Sequence, residues 1–160
     1  ARVADIGAGT GFFVKMFADA VGPGGHVYGV EISPALVDGL RAWAKMKEKT
    51  HVEAVLGGTD DVRLPPASID VAFMSDTYHH LEAPMALLRS LARALRPEGR
   101  VFILDFERIP GTSDPWILGH VRAGKAKVRE EVERAGFPFV REIDVDGLED
   151  NYLLEFGAPK

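Results

Sequence analysis

Short apolar runs of strand length alternate along this chain with longer runs in which apolar residues recur at helical spacing. Arg2–Asp5 reads as a first strand. Phe13, Met16, Phe17 and Ala20 follow at i, i+3, i+4 and i+7, one face of a helix running from about Gly11 to Ala20. Val21-Gly-Pro-Gly-Gly25 stops that helix, because neither glycine nor proline supports a helix interior. His26–Val30 reads as a second strand, ending in Glu31. Ser33 and Pro34 supply an N-cap and a first-turn proline for a helix with Leu36, Leu40 and Trp43 on one face. Val52–Leu56 and Ile69–Ser75 are the third and fourth strands.

The second half continues the alternation. A helix from about Pro84 to Leu95 turns Leu88, Leu91 and Leu95 inward, with Arg89, Arg93 and Arg96 outward as a solvated face. Pro97-Glu-Gly99 turns the chain into its most apolar strand, Val101–Phe106. An irregular stretch, Arg108–Arg122, holds Trp116 and His120, both positioned as candidate lid residues or as packing. A helix near Ala123–Ala135, a turn at Gly136, and strands near Phe139–Asp144 and Tyr152–Gly157 complete the order. Strands alternating with helices predict a parallel sheet covered on both faces and joined by right-handed crossovers. The link Val145–Asn151 is too short for a crossover, so the last strand is expected to run antiparallel. The expectation is a single domain over residues 1–160: a doubly wound, three-layer α/β sandwich of Rossmann-like type, with seven strands.

Composition narrows the chemistry. A formal net charge of -5 argues against a nucleic-acid or membrane surface, since phosphates call for a basic face. The cations Arg122, Lys125, Lys127, Arg129 and Arg134 are interleaved with Glu130, Glu131 and Glu133, which reads as a solvated helix face. With no cysteine, disulfides, thiolate nucleophiles and zinc–thiolate sites are excluded. No apolar run approaches the ~20 residues of a membrane span. The chain starts at Ala1 and enters a core strand at once, so further residues upstream are expected, and any targeting signal would lie among them. A cytoplasmic location is the expectation.

The run Val3-Ala-Asp-Ile-Gly-Ala-Gly-Thr-Gly-Phe12 carries the most specific chemistry. A strand that turns tightly into a helix presents free backbone N–H groups at a sheet's carboxyl edge, and glycines let a ligand approach the backbone. The dinucleotide fingerprint places its third glycine where this chain has Phe12. Asp5 beside the turn repels a pyrophosphate but engages an ammonium group. The loop therefore favours a nucleoside with a cationic amino-acid tail over one with phosphates.

With Val27-Tyr-Gly-Val-Glu31, Gly57–Pro65 followed by Ile69-Asp70, and Leu95-Arg-Pro-Glu-Gly-Arg100, the chain resembles the class I S-adenosylmethionine-dependent methyltransferases. It looks closest to their small-molecule branch with the methyltransferase domain 11/25 kind of motif set. The resemblance implies S-adenosyl-L-methionine as cofactor, S-adenosyl-L-homocysteine as product, and a small-molecule acceptor. It also implies a cofactor floor of Asp5, Gly7, Ala8, Gly9, Gly11, Glu31, Ile32, Thr59, Asp60, Ser75 and Tyr78. In it Glu31 accepts both ribose hydroxyls, and Tyr78 lays its ring near the sulfonium or packs in the core. Relatives commonly read Gly-Asp-Ala after the third strand, whereas here Gly58 holds the acid's place. Asp60 or Asp61 then competes for the adenine amino group, or both are solvated. The Asn-Pro-Pro-Tyr motif of amide and adenine methylases is absent, which argues against DNA and peptide-glutamine substrates.

Methyl transfer from a sulfonium is a direct displacement, so much of the work is holding the reactants in line at ~3 Å, worth up to roughly 7–11 kcal/mol. A base is needed only for an acceptor whose proton has a high pKa. His79 and His80 are the candidates, with at most one expected to face the pocket; the alternative is an imidazole bonded to backbone or Asp76. No metal site is expected, because a vicinal His pair chelates poorly and further ligands are not evident. Two other function classes stay open: a non-catalytic S-adenosylmethionine-binding module, and an NAD-dependent oxidoreductase, which lacks a Tyr-x-x-x-Lys pair here.

Overall fold

The computed structural model describes residues 1–160. Its elements are β1 (Arg2–Ile6), α1 (Phe12–Val21), β2 (His26–Glu31), α2 (Pro34–Met46), β3 (Val52–Leu56), β4 (Ile69–Ser75), a 3-10 turn (Tyr78–His80), α3 (Pro84–Ala94), β5 (Leu95–Phe106), α4 (Pro115–His120), α5 (Lys125–Arg134), β6 (Phe139–Glu142) and β7 (Asn151–Gly157). The sheet runs β3-β2-β1-β4-β5-β7-β6. Pairings among β1 to β5 are parallel, and β7 is antiparallel to both β5 and β6. The doubly wound architecture and the antiparallel last strand are as expected. Strand order reverses between β1 and β4, which opens a crevice at the carboxyl ends of β1, β2 and β4. No helix is long and apolar enough to cross a membrane.

Period-two alternation sends strand side chains to two cores. Ile6, Val30, Met74 and Ile103 join Leu88 and Leu91 of α3 and Val128 and Val132 of α5 in the larger one. Val27 and Ala54 meet Val14 and Ala18 of α1 and Val37 and Leu40 of α2 in the smaller. That second layer covers β1 to β3 and leaves Phe73, Phe102 and Leu104 half-buried.

Three local expectations change. The buried face of α1 is Val14 and Ala18, while Met16 stays 54% exposed. α1 lies so close over Gly29 that a Cβ there would come 3.0 Å from Val14, so only small side chains fit beneath the helix. Phe13 and Phe17 slide to its flank and pack against Phe73, with ring centroids 4.8 and 5.4 Å away. The helix before Pro97 ends at Ala94, and Leu95 already pairs with Ile69 in β5; the predicted turn is a bulge inside that strand, since Val71 pairs next with Arg100. The stretch read as irregular contains the short helix α4, whose first turn starts at Pro115.

The arginines of α3 are outward and paired, Arg93 with Asp61 at 3.3 Å and Arg96 with Asp70 at 3.0 Å. The α5 face is solvated except at Glu131. That carboxylate is buried, accepts from both Arg122 Nη1 and Nη2 at 2.9 Å and from the Tyr78 hydroxyl at 3.0 Å, and its pKa falls mainly through the Arg122 bonds.

Candidate active site

At the crevice, the turn after β1 holds three glycines at positive φ: 78° at Gly7, 54° at Gly9 and 83° at Gly11. They serve different ends. A Cβ on Gly7 would overlap Thr77, and one on Gly11 would overlap Leu40, so these two let β1 dock against the β4 loop and α2. Gly9 alone faces open space, where a ligand can approach its backbone. The close packing at Gly7 and Gly11 adds a structural role to the ligand-cradling one expected from the sequence, and Gly7 also lines the cavity.

Glu31, at the tip of β2, is the electrostatic centre of this edge. One carboxylate oxygen accepts the N–H groups of Ile32 at 2.8 Å and Ser33 at 3.0 Å, and the other accepts the Gly9 N–H at 2.9 Å. An ionised carboxylate offers roughly four lone-pair sites, so one is left, on the oxygen facing the glycine turn. Asp5 lies behind the turn, 2% exposed. Burial first, and then the charge of Glu31, push its pKa up to about 7, against a backbone hydrogen bond from Val14. The Asp5 side chain is buried behind the turn and is not among the residues that line the cavity.

The cavity at the crevice has a volume of about 360 Å³. Of the residues singled out in the sequence, Gly7, Glu31, Ile32, Thr59 and His80 line it. Ala8 is buried instead among α1 and α2, its N–H donated to Val30 at 3.0 Å. Asp60 is exposed, next to the lining residues Gly58 and Thr59, and Asp61 pairs with Arg93. Ser75 ends β4 outside the lining, its carbonyl accepting the Thr77 hydroxyl at 2.9 Å. Tyr78 is corrected outright: it is fully buried and points through the core to Glu131, the packing alternative with a polar tip. Burial there raises the phenol pKa strongly.

Of the two histidines, His79 is buried and His80 lines the cavity. The partner of His79 is Asp105, not Asp76. Asp105 accepts the His79 N–H at 3.1 Å, its Nδ1–H at 2.6 Å and the Phe106 N–H at 2.7 Å. That buried carboxylate rivets the 3-10 turn to the end of β5. His79 Nε2 is buried with no partner. His80 lines the cavity, and burial, followed by His79 and His120, lowers its pKa. His120, at the end of α4, brings its ring within 4.9 Å of His80 and 5.2 Å of His79. Nothing in the sequence pointed to a third histidine near the pair; α4, unseen there, brings His120 beside it.

Asp76 was missed as a wall residue. It lines the cavity at φ 50°, a backbone conformation uncommon outside glycine, and desolvation and then Asp105 raise its pKa. Its place immediately after a strand end was the only signal available.

The fold, the glycine turn and the carboxylate at the tip of β2 define a doubly wound α/β domain with a cavity at its topological switch point. A profile described as a methyltransferase domain matches residues 4–103, and the chain belongs to that family. It is 32% identical to nocamycin O-methyltransferase of Saccharothrix syringae over 120 residues, 75% of this chain and 42% of that protein. It is 25% identical to demethylmenaquinone methyltransferase of Listeria monocytogenes over 174 aligned positions, 91% of this chain and 73% of that protein. Among solved structures, an S-adenosylmethionine-dependent methyltransferase from Aquifex aeolicus shares the fold with a TM-score of 0.86 at 23% identity, over 98% of this chain and 81% of that one.

Proposed function

We propose that residues 1–160 act as one unit that transfers a methyl group from S-adenosyl-L-methionine to a small-molecule acceptor. The observation that carries this reading is the Glu31 carboxylate, bonded to the Gly9 N–H and keeping one acceptor site beside an open glycine backbone and a cavity. A nucleoside ribose fits that arrangement, because its hydroxyl donates where only an acceptor is free. The match to the methyltransferase domain family supports it, and the relatives that bear O-methyltransferase and demethylmenaquinone methyltransferase names act on small molecules.

Bound there, S-adenosyl-L-methionine supplies an electrophilic methyl. The residues of this chain position the reactants. Glu31 holds the ribose, Gly9 leaves room at the turn, and Ile32 and Thr59 border the base. His80 and Asp76 stand at the other part of the wall, where His80 contacts the acceptor, and His79 acts as a positioning residue held by Asp105. Proximity of this kind is the main catalytic resource of a direct displacement.

The test uses the complete protein. Isothermal titration is expected to give micromolar S-adenosyl-L-homocysteine binding and no NAD binding. Tritiated methyl from labelled S-adenosyl-L-methionine is expected to enter the small-molecule fraction of a cell extract, more slowly with His80→Ala at unchanged homocysteine-product affinity. Tight binding with no transfer would leave a non-catalytic binding module, and NAD binding would overturn the reading altogether.

A further inference from the structure

We propose that His79, His80 and His120 form a site for a divalent transition-metal ion, at the edge of the cavity. One ring nitrogen from each of the three lies within 4.8 Å of the other two. Two nitrogens of a tetrahedral site, each at ~2.0–2.1 Å from the ion, stand roughly 3.3–3.4 Å apart. For a pair standing at the 4.8 Å limit, closing the difference takes on the order of 1.4 Å, shared between the two rings. His80 and His120 are both exposed, so side-chain rotation supplies it without moving the backbone.

His79 is the fixed member, and its chemistry points to a ligand. Asp105 is acceptor-only when ionised, and its 2.6 Å bond to Nδ1 places the proton on that nitrogen. The lone pair is then on Nε2, which is buried without any hydrogen-bond partner. An unpaired buried acceptor costs free energy that a metal ion recovers. A carboxylate that takes one imidazole N–H and leaves the other nitrogen unpaired is the outer-shell arrangement that orients metal-binding histidines. Phe106 packs edge-on to His79 with centroids 6.1 Å apart, and Trp116 packs on Phe106 at 4.9 Å, so the cluster has an aromatic flank.

Imidazole ligands select the ion. An all-nitrogen set suits zinc, cobalt, nickel, copper or ferrous iron and does not suit magnesium or calcium, which require oxygen. Three protein ligands leave a fourth position for water or a donor oxygen. Because His80 belongs to both the cluster and the cavity wall, that position adjoins the cavity, and the contact of His80 with the acceptor is then made through the ion.

The experiment uses the complete protein without a polyhistidine tag, stripped with a chelator and titrated with zinc by calorimetry and with cobalt by visible spectroscopy. One equivalent of zinc is expected to bind with micromolar or tighter affinity, and cobalt is expected to give the intense absorption of a tetrahedral site. His120→Ala, at an exposed position, is expected to lose at least tenfold in zinc affinity and the cobalt band, with S-adenosyl-L-homocysteine binding retained as proof of folding. Asp105→Asn is expected to lose about 10–100-fold. Absence of stoichiometric uptake, or His120→Ala binding zinc like the parent, overturns the metal site. Neither result bears on the methyltransferase reading, which the homocysteine-product titration tests separately.

Discussion

The Glu31 carboxylate accepts the Gly9 backbone N–H at 2.9 Å across 22 residues of sequence, tying the tip of β2 to the turn after β1. The same side chain holds the start of the α2 connection through Ile32 and Ser33. Glu31→Ala therefore removes three bonds to a charged acceptor as well as the ribose contact. Bonds to charged groups are worth about 1.5–3 kcal/mol each, so loss of the ribose bond alone lowers nucleoside affinity roughly 10–100-fold. Glu31→Gln turns an amide N–H₂ toward backbone donors and is expected to fare little better. Calorimetry with S-adenosyl-L-homocysteine and a thermal melt check both; unchanged affinity in Glu31→Ala would remove the ribose assignment.

Asp5 predicts a pH dependence of stability. Its pKa is about 7 in the folded protein against 3.8 for the free side chain. A raised carboxyl contributes stability that is fully present below the unfolded pKa and is lost as pH rises through the folded one. The loss is at most roughly 4 kcal/mol between pH ~4 and pH ~7. Asp5→Asn imitates the neutral acid at every pH. In denaturant titrations of ligand-free protein, the variant is expected to gain on the parent across that window and then run level. A gap independent of pH would show that Asp5 ionises freely.

The glycines of the turn are expected to divide by phenotype. Gly7→Ala and Gly11→Ala drive a methyl into Thr77 and Leu40, adding about 1–3 kcal/mol of overpacking to left-handed strain. Gly9→Ala meets nothing and carries only the strain, roughly 1 kcal/mol. The first two are expected to lower Tm most, while Gly9→Ala is expected to weaken S-adenosyl-L-homocysteine binding most. Equal Tm losses at all three positions would refute the division.

Tyr78→Phe separates a core tyrosine from a cofactor tyrosine. Its hydroxyl donates to Glu131, which Arg122 continues to satisfy in the variant. A cost of about 1 kcal/mol in chemical denaturation is expected, with cofactor affinity unchanged. Asp105→Ala, by contrast, strands three donors at once and is expected to cost roughly 3 kcal/mol or more.

The sheet, its order and the glycine turn were legible because they are written locally: apolar period, helix stops and a carboxylate at a strand end. Glu31 followed from its place after β2. The side chains after β4 were not legible, because three residues per 3-10 turn divide neighbours among different directions. Tyr78 went to α5, His79 to Asp105 and His80 to the cavity. No periodicity links His79 to a carboxylate 26 residues on, or either to His120. The Met16 face of α1 misled for a different reason. Hydrophobicity alone does not say how close a helix will lie, and at Gly29 closeness favoured Val14 and Ala18.

β7 is the latest of the seven strands to leave the ribosome, yet it lies between β5 and β6. Until residues 151–157 emerge, β5 presents an open edge along Arg100–Phe106 and β6 has no partner. A nascent chain arrested before that point carries an unpaired apolar edge, which is a template for association with other chains. Completion of the sheet is thus a single insertion that joins both flanks at once.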